Sequence, residues 1–124
     1  MEYDLLMQKA KEASQKAYCP YSDFPVGACV LAESGKTYCG CNVENASFGL
    51  TVCAERNAVF AAIAAGERKI IAVAIYSPKL DDCVPCGACR QVFAEFGGDM
   101  DIITETKSYK LSELLPARFG GKWG

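Results

Sequence analysis

A chain of 124 residues has room for one domain and one hydrophobic core, with little left for a separate binding module. Its 51% apolar and 23% charged residues fit a globular protein, and a net charge of −2 argues against a large nucleic-acid footprint. No apolar run approaches the roughly 20 residues of a membrane helix, and Met1-Glu2-Tyr3-Asp4 is not a basic signal-peptide start, so a cytoplasmic protein with a small, nearly neutral ligand is expected.

The first expected element is a helix from Asp4 to Ala17, with Leu6, Ala10, Ala13 and Ala17 on one stripe and Lys9, Lys11, Glu12 and Lys16 facing out. The two prolines in the segment from Cys19 to Pro25 make it a loop. Val26 to Glu33 and Lys36 to Val43 are strand-like runs joined at Ser34-Gly35, a hairpin signal. Asn42 to Val52 has no clear period. A second helix opens at Cys53 and runs through Ala65, with Gly66 as its stop. Ile70 to Tyr76 is a continuous apolar run, expected as a strand covered on both faces. A third helix starts near Cys86 and ends at Gly97-Gly98, and Asp101 to Thr106 supplies a further strand. Ser112 to Leu115 forms a last turn, capped by Ser112 and stopped by Pro116. A hairpin followed by strand–helix alternation predicts a mixed sheet with helices on both faces, in a single α/β domain spanning residues 1–124.

The chain has eight cysteines and no histidine. A disulfide scaffold is one reading of that count. Two clusters oppose it, Cys53-Ala54-Glu55-Arg56 and Pro85-Cys86-Gly87-Ala88-Cys89-Arg90, which have metal-ligand spacing in a chain with no secretory signal. Cys19, Cys29, Cys39, Cys41 and Cys83 fall mostly on apolar strand or helix patterns, where free cysteine acts as a small hydrophobe. Asn45-Ala46-Ser47 matches a glycosylation acceptor, which means nothing without secretion.

Both clusters fall where helices begin, and the partial positive charge of a helix N-terminus favours the thiolate that zinc requires. Cys86 and Cys89 are one helical turn apart, and Cys53 ties in a second helix end. Three thiolates hold a zinc ion and leave its fourth position open, the arrangement of a catalytic site. Glu55 lies where a carboxylate can move protons without ligating the metal. Three thiolates outweigh the charge of the ion, so Arg56 is expected to donate to thiolate sulfur; Arg90 is either a second such donor or a helix-surface charge. A structural zinc knot with Cys83 or Cys41 as fourth ligand is the competing account, and it leaves Glu55 without a task. A Cys₃ set with a non-ligand Glu is a pattern of the zinc deaminases of nucleobases, which points to hydrolytic removal of an amine from a cytosine-like ring.

The chain also resembles the cytidine deaminases, in particular their short, homotetrameric, all-cysteine zinc class. Five stretches carry the likeness: Tyr21-Ser22-x-Phe24-x-Val26-Gly27-Ala28, Gly40-Cys41-Asn42-Val43-Glu44-Asn45-Ala46, Cys53-Ala54-Glu55-Arg56, Pro85-Cys86-Gly87-Ala88-Cys89-Arg90-Gln91 and Glu113-Leu114-Leu115-Pro116. The resemblance implies a three-layer α/β/α sandwich with a five-stranded mixed sheet, one zinc ion per chain, a homotetramer, and conversion of cytidine or 2′-deoxycytidine to uridine or 2′-deoxyuridine in pyrimidine salvage. Carried over by position, Cys53, Cys86 and Cys89 are the ligands and Glu55 the proton shuttle. Asn42 and Glu44 hold the ribose, and Phe24 forms an apolar wall against the base. The Ala54 backbone N–H meets the pyrimidine carbonyl, and the Val84 carbonyl accepts from the leaving amine. Phe48 and Phe119 match aromatic positions that complete a neighbouring subunit's site. Val84 departs from the Ser or Thr often found before Pro-Cys, and Phe48 stands where tyrosine is common. A blasticidin-type deaminase shares the zinc motif, but the Asn42-x-Glu44 pair favours plain nucleosides. A non-catalytic zinc module would lack turnover, and a polynucleotide deaminase is disfavoured by the acidic balance.

Overall fold

Ile70–Tyr76 forms the middle strand of a five-stranded sheet, and five of its seven residues are buried. That is what a continuous apolar run does when both faces are covered. The computed structural model describes residues 3–120; Met1, Glu2 and residues 121–124 lie outside them. In chain order the elements are α1 (Asp4–Ser14), β1 (Gly27–Ala32), β2 (Thr37–Cys41), a 3₁₀ turn (Phe48–Leu50), α2 (Ala54–Ala64), β3 (Ile70–Tyr76), α3 (Gly87–Phe96), β4 (Asp101–Ile103), β5 (Ser108–Lys110) and α4 (Leu111–Leu114). The strand order is β2-β1-β3-β4-β5, with only the β3–β4 pair parallel.

Alternation along the strands sends two sets of side chains to opposite faces. Cys29, Ala72 and Ala74 pack with Leu6 and Ala10 of α1. Ala28, Val30, Val73 and Ile75 face the other way, onto Ala54, Ala58 and Val59 of α2 and Cys89 and Phe93 of α3. The result is the expected sandwich, α1 on one side and α2 with α3 on the other. No helix among the described residues is long and apolar enough to cross a membrane.

Four expectations need correction. The first helix ends at Ser14, not Ala17, because Ser14 Oγ donates to the Lys11 carbonyl at 2.6 Å and the chain tightens through Gln15 and Lys16. The two hairpin strands are shorter than read, and Gly35, at φ +91°, closes a three-residue loop in which Ala32 N–H donates to Lys36 O. The segment 101–106 is not one strand. It is β4 followed by a turn, closed by Thr104 N–H on Lys107 O, and the missed β5 returns beside it. Ser-Tyr-Lys is too short and too polar to announce an edge strand by periodicity. Finally, Ser112 does not cap α4. Its hydroxyl and N–H bond Asp99, while Glu113 Oε1 accepts from Lys110 N–H at 2.7 Å.

Candidate metal centre

Cys53 and Cys86 are the residues immediately before α2 and α3, in extended conformation, and neither side chain caps the backbone N–H groups of its own helix. Each sulfur is therefore free to turn to the space between the two helix starts. The Sγ atoms of Cys53, Cys86 and Cys89 all lie within 4.8 Å of one another, and Cys86 Sγ stands 3.6 Å from Cys89 Sγ. Tetrahedral coordination at about 2.3 Å per Zn–S bond needs sulfurs about 3.8 Å apart, so the donor set fits a zinc ion. Cys41 and Cys83 are not part of this cluster.

The electrostatics agree with the geometry. The Cys53 thiol is lowered to about 5, chiefly by the hydrogen bond from Cys89 and then by the Arg56 guanidinium, against the opposing effect of burial. Cys89 is raised by the same shared hydrogen bond and by burial. Arg56 Nη2 donates to Cys53 Sγ at 3.3 Å, and the guanidinium also lies beside Cys89. Its Nε is buried without an acceptor. Arg90 behaves differently. Its Nε donates to Pro85 O at 2.9 Å and its Nη1 to Leu114 O at 3.0 Å, so it ties the ligand loop to α4 through backbone carbonyls.

Glu55 is only 5% exposed, in the first turn of α2. Burial pushes its carboxyl up to about 7, its own backbone N–H opposes that, and the neighbouring Cys53 thiolate adds to the rise. Ala54, fully buried, is the first residue of α2, where backbone N–H groups lack intrahelical acceptors. Val84, 40% exposed, precedes Pro85 and Cys86 on the ligand loop.

Asn42 and Glu44 follow β2 and are both engaged with the loop 21–26. Asn42 Oδ1 accepts from Val26 N–H and its Nδ2 donates to Phe24 O, each at 2.9 Å. Glu44 Oε1 accepts from the N–H groups of Tyr21 and Ser22, and Oε2 from the Ser22 hydroxyl. These bonds, the Ser22 hydroxyl first, hold the Glu44 carboxyl below the usual range. One N–H and at least one lone pair stay free on these two side chains. Phe24 is half-buried, its N–H on Ser22 Oγ. Ser22 and Asn57, whose Nδ2 donates to Cys41 O at 2.8 Å, were not singled out in the sequence. The Glu44 partner of the Ser22 hydroxyl and the Cys41 partner of Asn57 lie 22 and 16 residues away, so no local pattern marks those bonds. Phe48 and Phe119 are 76% and 74% exposed. Phe48 meets Tyr21 edge-on, ring centroids 6.2 Å apart, beside a cleft of about 350 Å³ bounded by Ser22, Glu44 and Thr51.

Two helix N-termini converging on three cysteine sulfurs that fit a zinc ion, with a buried carboxyl beside them, form the donor set of a zinc hydrolase site. The family model described as "Cytidine and deoxycytidylate deaminase zinc-binding region" matches residues 1–106, and the chain belongs to that family. It is 44% identical over 125 residues to a cytidine deaminase of Sporosarcina psychrophila, covering 96% of this chain and 92% of that one. Among solved structures, the cytidine deaminase of Mycobacterium tuberculosis superimposes with a TM-score of 0.91 at 40% identity, covering 98% of this chain and 99% of that one. The cytidine deaminase of Burkholderia pseudomallei gives 0.90 at 42% identity, covering 96% and 100%.

Proposed function

We infer that this chain catalyses the zinc-dependent hydrolytic deamination of cytidine and 2′-deoxycytidine, giving uridine or 2′-deoxyuridine and ammonia. The observation that carries this reading is the three-sulfur cluster with Glu55 buried beside its first member, in a chain of the deaminase family. Cys53, Cys86 and Cys89 would hold one zinc ion per chain, which would supply a Lewis acid able to lower the pKa of a water towards neutrality. Glu55 accepts one proton from the attacking water and delivers it to ring N3, then takes the second proton from the oxygen added at C4 and passes it to the departing amine, so both protons of the water are accounted for. Arg56 offsets the thiolate charge. Ala54 N–H donates to the pyrimidine carbonyl and the Val84 carbonyl accepts from the amine. Phe24 walls the base, and the free N–H of Asn42 and the remaining lone pairs of Glu44 bind sugar hydroxyls. Glu44 thereby has two tasks, since the same carboxylate also holds the loop 21–22.

The reading extends to a single domain, a homotetramer whose subunits share aromatic residues across their sites, and a cytoplasmic place in pyrimidine salvage. Incubation of the zinc-loaded protein with cytidine, followed by ultraviolet absorbance, tests the reaction. Conversion to uridine, well above turnover of a blasticidin-type aminonucleoside, is expected. An intact zinc-loaded protein with no turnover of cytidine or 2′-deoxycytidine would overturn it.

A further inference from the structure

Away from the metal centre, on the α1 face of the sheet, lies a second pair of cysteines. Cys29 of β1 and Cys39 of β2 are directly opposite in the antiparallel register. Hydrogen bonds at either end of the hairpin fix the phase of the ladder: Asn42 N–H donates to Val26 O, and Ala32 N–H to Lys36 O. Bonded and non-bonded pairs alternate between those ends, so Cys29 and Cys39 fall at a non-hydrogen-bonded position. There Cα atoms stand about 4.5 Å apart and side chains approach most closely, within the range a disulfide spans. The two sulfurs are 2.8 Å apart.

The pair also differs in access. Cys29 is fully buried against α1, whereas Cys39 is exposed on an edge strand. Cys39 lines a cleft of about 440 Å³ between α1 and β2, with Lys9 and Glu12 of the helix, Lys16 just past its end, and Thr37 and Cys41 of the strand around it. Lys9 is held there by its bond to Thr37 Oγ1 at 2.8 Å. The exposed thiol is lowered to about 7, chiefly by the hydrogen bond from Cys29, with burial and Glu12 opposing and Lys9 and Lys16 assisting. The buried thiol is raised by that same bond and by burial, and so keeps its proton. An accessible thiolate backed by a protonated partner is the arrangement of a reactive dithiol. Cys41 is a poor alternative partner. It is two residues along the same strand, about 7 Å from Cys39, and its thiol is turned to Lys16 O.

We propose that Cys29 and Cys39 are a redox-active dithiol, oxidised by a small hydroperoxide to an intrachain disulfide between β1 and β2. The Cys39 thiolate attacks the peroxide oxygen, the O–O bond breaks, and the leaving oxygen takes a proton to depart as an alcohol or water. Cys39 is then a sulfenic acid. The Cys29 thiol attacks that sulfur, the S–S bond forms and water leaves. Two thiols lose two electrons and two protons, and one hydroperoxide becomes one alcohol and one water.

The test treats zinc-loaded protein with stoichiometric hydrogen peroxide and maps the products by mass spectrometry without reduction. The expected result is a mass lower by two hydrogen atoms, a Cys29–Cys39 linkage, zinc still bound, and reversal by a dithiol reductant. Cys39→Ser should abolish the reaction. In Cys29→Ala, Cys39 should be trapped as a sulfenic acid by a cyclic diketone, which distinguishes the order of attack from mere proximity. The proposal is overturned if the pair stays reduced, if Cys39 links to Cys41 or to another chain, or if the metal-binding cysteines oxidise first with zinc release.

Discussion

At Glu55, replacement by Gln keeps the volume of the side chain and removes its ability to carry a proton. The carboxyl is buried next to the sulfur cluster and is not among the groups that complete it. Glu55→Gln should therefore retain zinc, while activity falls by about 10²–10⁴-fold or more. Metal analysis beside turnover checks this, and a zinc-free variant would make Glu55 a ligand instead. Arg56 is a different case, because it touches sulfur directly. Arg56→Gln removes the cation beside Cys53 and should weaken zinc retention by about 10–100-fold in competition with a chelator. Unchanged affinity would reduce Arg56 to a surface charge.

Among the elements, α2 carries both Cys53 at its start and Glu55 in its first turn, so its seat on the sheet sets the site. Gly40 of β2 makes that seat. A Cβ there would meet Ala58 N at 2.5 Å and Ala54 O at 2.8 Å, both backbone atoms of the helix. Gly40→Ala should push α2 outward and cost stability at the upper end of the roughly 1–3 kcal/mol typical of overpacking, with activity reduced as well. Thermal unfolding checks it against Gly49→Ala, where a Cβ meets nothing within 4 Å. The ligand loop has its own anchor at Asp82, which sits at φ +48° and accepts from the Thr104 hydroxyl and from the Thr106 N–H and hydroxyl, each at 2.7 Å. Those bonds hold its carboxyl at about 2, below the ordinary 3.8. A depressed carboxyl stabilises the fold above its unfolded value, and the contribution fades as pH falls through 4 towards 2. The stability gap between the parent and Asp82→Asn should thus be present at neutral pH and close over that window in acid titrations. A gap independent of pH would remove the role of the ionised carboxylate.

For the whole molecule, the large apolar side chains left outside are the telling feature. Phe48, Phe119, Leu50 and Phe60 are 76%, 74%, 65% and 48% exposed. Such residues are read as interaction surface where they gather into a patch. Phe119 is held in place through its carbonyl, which accepts from Gln91 Nε2 at 2.8 Å on the helix that bears Cys89, so its ring is presented rather than buried. In a homotetramer with shared sites, stacking on a base is worth roughly 1–3 kcal/mol, and Phe119→Ala should raise KM about ten- to a hundredfold without dissolving the assembly. Light scattering with kinetics decides it. A fully active monomer would sink the shared site, and an unaltered KM would remove Phe119 from it.

The sequence by itself determined the parts whose signal is local. Cys86 and Cys89 are one helical turn apart in any helix, and the apolar run 70–76 needs burial whatever its neighbours are. The zinc chemistry was legible for the same reason, since thiolate spacing and a carboxylate two residues on can be read without a fold. Only the tertiary structure decided which distant groups each side chain would meet. Arg90 had two readings, and it turned to the carbonyls of Pro85 and Leu114. Asn42 and Glu44 were marked as polar groups for a ligand, yet most of their hydrogen-bonding capacity orders the loop 21–26. Cys29 and Cys39 each read as a small hydrophobe in its own strand, and became a pair through the register of a hairpin. Edge strand β5 emerged only by pairing with β4. Periodicity records how much of an element is buried, whereas register and hydrogen-bond partners depend on segments far apart in the chain, and those are chosen when the layers pack.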